Sequence, residues 1–267
     1  MDTFSIAGSV RKGIYLGNTY TFPAIADLNG DGLVEIVGLN DARANSSSLG
    51  GVMTGMSALL GRHQGRAHRD NRVFDIDGDG HLDVFWNTYS DPNDTSSFAM
   101  ILYGDGRGDF DRVENRRDIN GFGETIIVAD FNNDGWSDVY SPVYTHVEGN
   151  DSGYLLLNDA GLLGANVAEE WGVGLSNLPV FFRVEGAQAA DVNFDGKIDM
   201  YVGSHMFINR GDRFEASTLD PYVFDEGANL FDYDNDGDFD LVLRLENRGP
   251  ELFEYSEGRF ISKGCLT

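Results

Sequence analysis

Residues 75–83 read DIDGDGHLD and place four carboxylates in nine positions, with two glycines among them. Carboxylates this close repel one another and resist ionising together, so a folded chain accepts them only when something offsets the charge. The whole chain is acidic, with 44 Asp and Glu against 19 Lys and Arg and a net charge of −25. A bound cation would offset that charge, and the stretch therefore predicts a metal site.

The same pattern occurs five times, and all five copies fit the template D-x-[DN]-x-D-G-x-x-[DE]. Successive copies begin 48, 55, 61 and 41 residues apart. Repeats of this length are typical of stacked or radially arranged units. The copies, named loops 1 to 5, are DLNGDGLVE at 27–35, DIDGDGHLD at 75–83, DFNNDGWSD at 130–138, DVNFDGKID at 191–199 and DYDNDGDFD at 232–240.

Each template position has a role in holding calcium. Oxygens at positions 1, 3 and 5 converge around a tight turn, Gly at position 6 supplies unusual backbone angles, the carbonyl at position 7 points inward, and the acid at position 9 closes the shell. Ca²⁺ takes roughly six to eight oxygens with loose angular demands, whereas Mg²⁺ is stricter, and no recurring thiolate or imidazole favours zinc or copper. The candidate metal ligands are Asp27, Asn29, Asp31, Leu33 and Glu35 in loop 1, Asp75, Asp77, Asp79, His81 and Asp83 in loop 2, Asp130, Asn132, Asp134, Trp136 and Asp138 in loop 3, Asp191, Asn193, Asp195, Lys197 and Asp199 in loop 4, and Asp232, Asp234, Asp236, Asp238 and Asp240 in loop 5.

An EF-hand differs from this pattern, because it needs a loop of about twelve residues that ends in Glu between two helices. Here the closing acid stands at position 9, and β-like runs such as TIIVAD (125–130) and DVFWN (83–87) flank the loops. The loops therefore join strands, and the alternative to metal is a set of Asx and Gly hairpin turns. Such turns do not need the 17 acids that occupy positions 1, 3, 5 and 9, so we expect about five Ca²⁺, which would bring the net charge to −15.

A second pattern follows the loops: an apolar strand, a Gly/Asn/Asp turn and often Phe, as in AMILYGDGRGDF (99–110) and SHMFINRGDRF (204–214). Each unit thus reads as strand, calcium loop, strand, connection, strand, turn, strand. Four antiparallel strands repeated radially make a β-propeller blade. Helical periodicity is nearly absent, and the best helical candidate, NVAEEWGVGL at 166–175, predicts one or two turns.

The five loops, the glycine-led strands EGAQAAD (185–191) and EGANLFD (226–232), and the N-x-G-x-x-F turns resemble those of the FG-GAP/VCBS repeat family. Its members include integrin-α-type propellers and many bacterial surface proteins. The resemblance covers about residues 20–262, although the FG…GAP half is reduced to GFG at 121–123. It implies a calcium-stabilised propeller used for adhesion or ligand binding, while a few similar members are enzymes, including polysaccharide lyases.

We therefore predict an all-β fold, one β-propeller of five four-stranded blades over residues 1–267, with a calcium loop in each blade. The blades fall roughly at 20–69, 70–120, 121–180, 181–221 and 222–267, and residues 1–19 can supply a ring-closing strand, a role that GRFIS (258–262) also fits. Seven blades would leave only about 38 residues for each, which is tight for a four-stranded unit.

Composition restricts partners and compartment. The negative charge disfavours nucleic acid and anionic membranes, and the single Cys265 excludes a disulfide framework. No apolar run reaches 18 residues, and the start MDTFSIAGSV does not read as a signal peptide, although a leader could precede it in a longer protein. The resemblance implies an extracellular, cell-surface or periplasmic location.

Two regions are candidate ligand sites. The segment GRHQGRAHRDNR (61–72) is basic in an acidic chain and could bind a carboxylate, sulfate or acidic sugar; alternatively, it is a solvated connection paired with nearby acids. Aromatic residues could form a sugar-stacking surface, and one of them, Trp171, lies in the long third unit. Trp86 and Tyr140 follow calcium loops on strands, and we expect them to pack between blades instead. The candidate ligand-binding residues are Arg62, His63, Arg66, His68, Arg69, His146 and Trp171.

Three functions remain open: a module that binds a glycan or protein in adhesion, an enzyme (a lyase or hydrolase) acting on acidic polysaccharide through residues 62–72, and a structural domain of a larger surface protein. No nucleophile motif or phosphate loop occurs, so no catalytic residue is assigned. We expect Asp79→Ala to weaken one calcium site and leave the other sites largely intact. Loop 1 is expected to bind most weakly, because Glu35 needs more room than Asp.

Overall fold

The computed structural model describes residues 24–37, 68–88, 99–119, 123, 125–142, 153–174, 184, 186–219, 225–245, 248–256 and 259–266. Within these ranges the chain is all-β, with one two-stranded sheet, four four-stranded antiparallel sheets and no helix. Since no helix forms there, none is long and apolar enough to cross a membrane.

Each sheet is a meander, in which every strand is hydrogen-bonded to the strand that follows it along the chain. This arrangement matches the predicted order of strand, loop, strand, connection, strand, turn, strand. The strands are, in sheet 1, β1 (Ala24–Ala26) and β2 (Glu35–Val37); in sheet 2, β3 (His68–Phe74), β4 (Asp83–Thr88), β5 (Ala99–Gly104) and β6 (Phe110–Arg116); in sheet 3, β7 (Ile127–Ala129), β8 (Asp138–Ser141), β9 (Tyr154–Asp159) and β10 (Leu162–Asn166); in sheet 4, β11 (Ala187–Ala190), β12 (Asp199–Val202), β13 (His205–Asn209) and β14 (Phe214–Thr218); and in sheet 5, β15 (Asp225–Phe231), β16 (Asp240–Leu245), β17 (Gly249–Ser256) and β18 (Arg259–Cys265).

Successive sheets pack face to face, and the alternation of side chains along a strand supplies both interfaces. Along β4, Val84 and Trp86 join the cluster that packs against Leu28 of loop 1, whereas Phe85 joins the cluster that contains Tyr154 of sheet 3. Strand β5 is buried at all six positions for the same reason. Strands with two apolar faces read as continuous hydrophobic runs, which is why AMILYG lacks the alternation of a half-exposed strand.

Two further clusters fill the interfaces between sheets 3 and 4 and between sheets 4 and 5. The first strands of the sheets lie next to one another: β11 is beside both β7 and β15, and β1 is beside β3. Outer strands are also linked, because the buried Arg116 of β6 donates to the carbonyl oxygens of Leu163 and Gly164 at 3.0 and 2.7 Å. First strands of neighbouring sheets thus lie side by side, and the last strands of sheets 2 and 3 are linked by this arginine.

Residues 166–174 contain one helical turn, which is the shorter of the two lengths predicted. The amide of Trp171 donates to the carbonyl of Val167 at 2.9 Å, which closes a single helical turn, and Gly172 then takes a φ of +76°. A left-handed residue ends a helix, so the turn does not propagate. Trp86 and Tyr140 are each only 1% exposed, which confirms the prediction that they pack between sheets.

Candidate metal centres

All five loops connect the first two strands of their sheets. In each, the residue before position 1 pairs with the residue at position 9, as Phe74 pairs with Asp83 in loop 2 and Ala129 with Asp138 in loop 3. The loops are therefore β-hairpin loops and not EF-hands, as the sequence predicted.

The backbone of the loops explains their glycines. The glycine at position 6 has a φ between +84° and +101° in all five loops, including Gly80 and Gly237. Position 4 is also left-handed, with φ from +58° to +75°, and is occupied by Gly or Asn in every loop except loop 4, which has Phe194. A bulky aromatic residue rarely takes this conformation, so Phe194 holds it at a cost in strain.

Side-chain oxygens at positions 1, 3 and 5 turn back onto the backbone of their own loop. In loop 3, Asp130 accepts a hydrogen bond from the amide of Gly135 at 2.8 Å, and Asn132 accepts one from the amide of Asp134 at 3.1 Å. The carboxylate of Asp134 in turn accepts from the amide of Trp136 at 2.8 Å. These bonds hold the oxygens on the concave side of the turn, which is the arrangement that a hard cation needs.

The position 9 carboxylates of loops 2 to 5 are buried and connect each loop to the rest of its sheet. Asp83 accepts hydrogen bonds from the amides of Ile76, at position 2, and Gly104, at the end of β5, both at 2.8 Å. Asp138, Asp199 and Asp240 make the equivalent pairs of bonds. A carboxylate offers about four lone-pair sites, so two such bonds leave capacity for a metal.

Burial makes these carboxylates weaker acids than usual. The pKa values of Asp83, Asp138 and Asp199 are each raised to about 6, because desolvation and the nearby loop carboxylates outweigh the two donated backbone hydrogen bonds. Such groups gain by contact with a cation, since a positive charge favours their ionised form.

Among the five loops, loop 2 has the side-chain arrangement that best fits a bound cation. Ligand oxygens of Asp75, Asp77 and Asp83 all lie within 4.8 Å of one another. Oδ1 of Asp77 is buried and has no hydrogen-bond partner, while Oδ2 of the same residue pairs with Arg112 at 2.9 Å. The guanidinium of Arg112 also lies 3.4 Å from the centre of the Tyr103 ring. A buried carboxylate oxygen without a donor is costly, and a cation between these three side chains would satisfy it.

Loop 5 has a second cluster, formed by Asp232, Asp234 and Asp236, which are all exposed. Desolvation and the neighbouring acids raise the pKa of Asp234 and of Asp238, and Oδ1 of Asp238 is buried without a hydrogen-bond partner. This loop therefore also concentrates negative charge that a divalent ion would offset.

Loops 2 to 5 contact one another in a row, through the residue at position 4 of each loop. A Cβ atom on Gly78 of loop 2 would lie 2.6 Å from the ring of Trp136 in loop 3, so only glycine fits beneath this indole. The side-chain amide of Asn133 in loop 3 donates to the carbonyl of Gly196 in loop 4 at 3.1 Å. Phe194 of loop 4 stacks on Phe239 of loop 5, with ring centres 6.2 Å apart.

The candidate ligand-binding residues do not come together in the part of the chain that the structure describes. Trp171 is 8% exposed and packs against Phe214 at 5.9 Å, so it belongs to the hydrophobic core and not to a sugar-stacking surface. His68 and Arg69 lie at the start of β3. The nearby Arg72, also in β3, pairs with the buried Asp70 at 2.7 Å. Arg62, His63, Arg66 and His146 lie outside the described residues.

Sequence reasoning did not single out Asn158, the next-to-last residue of β9, and Asn209, the last residue of β13. Their side-chain amides donate across the sheet interface, to the carbonyls of Ile76 and Phe131. The only sequence signal was the asparagine in the recurring turn motif, which gives no indication of its partner.

Comparisons with known proteins agree with this description. Residues 75–141 match the family model of the FG-GAP-like repeat. No curated protein sequence is significantly similar to the chain. The fold is similar to the crystal structure of the V. cholerae biofilm matrix protein Bap1, with a TM-score of 0.51 and 16% identity over 91% of this chain and 38% of that chain.

Two crystal structures of BBS1N in complex with ARL6DN also match, each at 11% identity. The TM-score is 0.44 for the structure soaked with lead, over 72% of this chain and 54% of that chain, and 0.43 for the structure soaked with mercury, over 75% and 55%. This chain spans less than two thirds of each solved chain. Residues 75–141 therefore resemble an FG-GAP-like repeat, and the hairpin loop of that segment recurs in the other sheets.

Proposed function

We propose that this chain is a calcium-binding β-propeller of five blades, with one Ca²⁺ in the first hairpin of each blade. The five hairpin loops share one backbone geometry and present acids at positions 1, 5 and 9 throughout. Four units have the four strands of a blade, and first strands of neighbouring units lie side by side. Residues 20–69 would form the remaining blade around the hairpin of β1 and β2.

The partnerless Oδ1 of Asp77, within 4.8 Å of ligand oxygens of Asp75 and Asp83, is the observation that carries the calcium proposal. A bound ion would satisfy this oxygen and reduce the repulsion among the acids of loop 2. Since the same loop recurs, the other four sites follow from it.

Calorimetric titration of calcium into metal-free protein tests this proposal. We expect a saturable class of sites with a stoichiometry near five, and a melting temperature that rises with calcium concentration by mass action. Asp79→Ala removes a position 5 carboxylate and should reduce the stoichiometry, while Asp212→Ala, in the exposed turn before β14, is the matched control. A titration without saturable heat would refute the proposal.

We further propose that the propeller is an extracellular adhesion module that binds a glycan or another protein. FG-GAP-like repeats support this proposal, and so does the fold shared with a protein described as part of a biofilm matrix. A net charge of −25 is also suited to surroundings where calcium is abundant.

Ligand screening separates adhesion from the alternative of a lyase or hydrolase. We expect selective binding on a glycan array or to a surface protein, without turnover of uronic-acid polymers. The enzyme alternative instead requires turnover that Arg66→Ala or His68→Ala abolishes. No observation on the described residues favours that alternative.

A further inference from the structure

Buried hydrogen bonds connect the position 9 carboxylates of neighbouring loops. In loop 2, Asp83 accepts from the amide of Ile76 at 2.8 Å, and the carbonyl of Ile76 accepts from the side-chain amide of Asn158 at 2.9 Å. The backbone amide of Asn158 then donates to Asp138, the position 9 residue of loop 3, at 2.8 Å. One loop residue, Ile76, and one asparagine thus join two loops that lie in different sheets.

The same sequence of bonds is repeated between loops 3 and 4. Asp138 accepts from the amide of Phe131 at 2.8 Å, and the carbonyl of Phe131 accepts from the side-chain amide of Asn209 at 2.8 Å. The backbone amide of Asn209 donates to Asp199 at 2.8 Å, and Asp199 accepts from the amide of Val192 at 3.1 Å. The bonds form an uninterrupted series from Asp83 to Asp199, which we name the relay.

The relay lies almost entirely out of contact with water. Its side chains are between 0% and 1% exposed, so none of these bonds is readily exchanged for a bond to solvent. Hydrogen bonds in such surroundings are stronger than in water, and charged acceptors strengthen them further. The side-chain oxygens of Asn158 and Asn209 also accept from the amides of Gly161 and Gly211, at 2.9 and 2.8 Å, which fixes the orientation of both side chains.

The relay ends in sheets 2 and 5, where other residues stand at the position that Asn158 and Asn209 occupy in sheets 3 and 4. In sheet 2 this position is Gly104, whose amide donates to Asp83 but which has no side chain to reach loop 1. In sheet 5 it is Tyr255, whose amide donates to Asp240 and whose side chain has no amide group. The relay therefore connects loops 2, 3 and 4 and does not extend through this position to loops 1 and 5.

We propose that Asn158 and Asn209 are positioning residues that make calcium binding at loops 2, 3 and 4 positively cooperative. The inference rests on the proposed calcium function and adds to it, because repeated loops alone predict independent sites. A cation in loop 2 fixes Asp83 and the peptide of Ile76, and this orients Asn158 and the carboxylate of Asp138. Loop 3 then has less freedom left to lose when it binds its own ion.

Electrostatics acts in the same direction. Positions 1, 3, 5 and 9 hold four acids in loop 2 and three each in loops 3 and 4. Each empty loop repels its neighbours, and a divalent ion in one loop removes part of that repulsion. Binding in one loop therefore lowers the electrostatic cost of binding in the next.

Terbium luminescence excited through tryptophan tests the coupling, because Trp136 belongs to loop 3 and lies over Gly78 of loop 2. In the wild-type protein we expect a titration with a Hill coefficient above 1. Asp79→Ala should weaken terbium binding at loop 3 by about fivefold or more, a typical size for coupling between sites. In the background of Asn158→Gly, which copies the residue of sheet 2, Asp79→Ala should change the loop 3 affinity much less than it does when Asn158 is present, because only the electrostatic part of the coupling remains.

Two control variants separate coupling from a general loss of stability. Asn209→Gly breaks the relay between loops 3 and 4 and should preserve the effect of Asp79→Ala on loop 3. Asn87, which is 0% exposed, donates to Gly123 and Ser141 across the same interface between sheets 2 and 3, away from the loops. Asn87→Gly should therefore lower the melting temperature and keep the Hill coefficient above 1.

The outcomes distinguish this inference from the calcium proposal. Saturable binding with a Hill coefficient of 1, or a loop 3 affinity that Asp79→Ala does not change in the presence of Asn158, would overturn the coupling alone. A wild-type protein without saturable terbium or calcium binding would overturn the calcium function and the coupling with it. If Asn158→Gly does not fold, the comparison of Asp79→Ala with the wild type still decides whether the loops are coupled.

Discussion

Calcium binding should release protons from the three position 9 carboxylates whose pKa values are raised to about 6, those of Asp83, Asp138 and Asp199. At pH 6 each group is half protonated, so the three carry about 1.5 protons together, and at pH 8 almost none. A cation favours the ionised form, and the protons are lost when it binds. We therefore expect the release of about 1.5 protons at pH 6 and close to zero at pH 8.

Calorimetric titrations in buffers of different ionisation enthalpy measure this number directly. Asp83→Asn removes one of the three groups and should lower the release at pH 6 by about a third, because one of three equal contributions is lost. Asp212→Asn, in an exposed turn, should leave it unchanged. Calcium binding at pH 6 without proton release would show that these carboxylates are not desolvated as the structure indicates.

The same groups fix the direction of the pH dependence of stability. Their pKa in the folded state lies above the ordinary value of 3.8, so their contribution to stability is fully present below that value and is lost as the pH rises through about 6. Metal-free protein should therefore melt at a higher temperature at about pH 5 than at about pH 7.5. The increase in melting temperature caused by calcium should be smaller at about pH 5 than at about pH 7.5, because protons compete with the ion for these carboxylates. Thermal scans with and without calcium measure both effects.

Three substitutions test separate contacts. Gly78→Ala should lower the free energy of unfolding by more than Gly80→Ala, since both residues have positive φ but only Gly78 lies beneath Trp136; denaturant titrations measure the difference. Arg112→Gln should tighten calcium binding at loop 2 several-fold in calorimetry, because it removes a cation that pairs with Asp77. Arg210→Gln is the control and should leave calcium binding unchanged, because its partner Glu215 lies outside the loops. Arg116→Met should reduce the free energy of unfolding by about 2–4 kcal/mol, because the carbonyls of Leu163 and Gly164 lose their donor, and the exposed Arg107→Met should leave it unchanged in the same titrations.

The hairpins and the order of strands could be predicted because they follow from local chemistry. Left-handed glycine at position 6, converging acids and flanking apolar runs lie within a few consecutive residues, and they recur. The helical turn within residues 166–174 was predicted from local sequence as one or two turns, and Gly172 stops it after one.

The contacts between sheets could not be predicted, because their partners are far apart along the chain. Asn158 and Ile76 are separated by 82 residues, and no spacing rule connects a turn asparagine to the carbonyl of an earlier loop. The position 9 acids were predicted as metal ligands, but their bonds to the ends of the third strands depend on the same long-range arrangement. Binding sites are hard to predict for the same reason. The sequence around Trp171 does not indicate whether its side chain faces the solvent or packs against Phe214, as it does in the structure.

Because the central strands are buried on both faces, cutting the chain between two sheets would expose hydrophobic surface. Strands such as β5 and β12 are buried along their whole length because sheets 2 and 4, to which they belong, are each covered on two sides. A fragment that ends between two sheets would expose a hydrophobic surface and should aggregate or associate with copies of itself. Shortening or lengthening such an array is therefore tolerated only in steps of an entire sheet, and only where a new neighbour restores the missing cover.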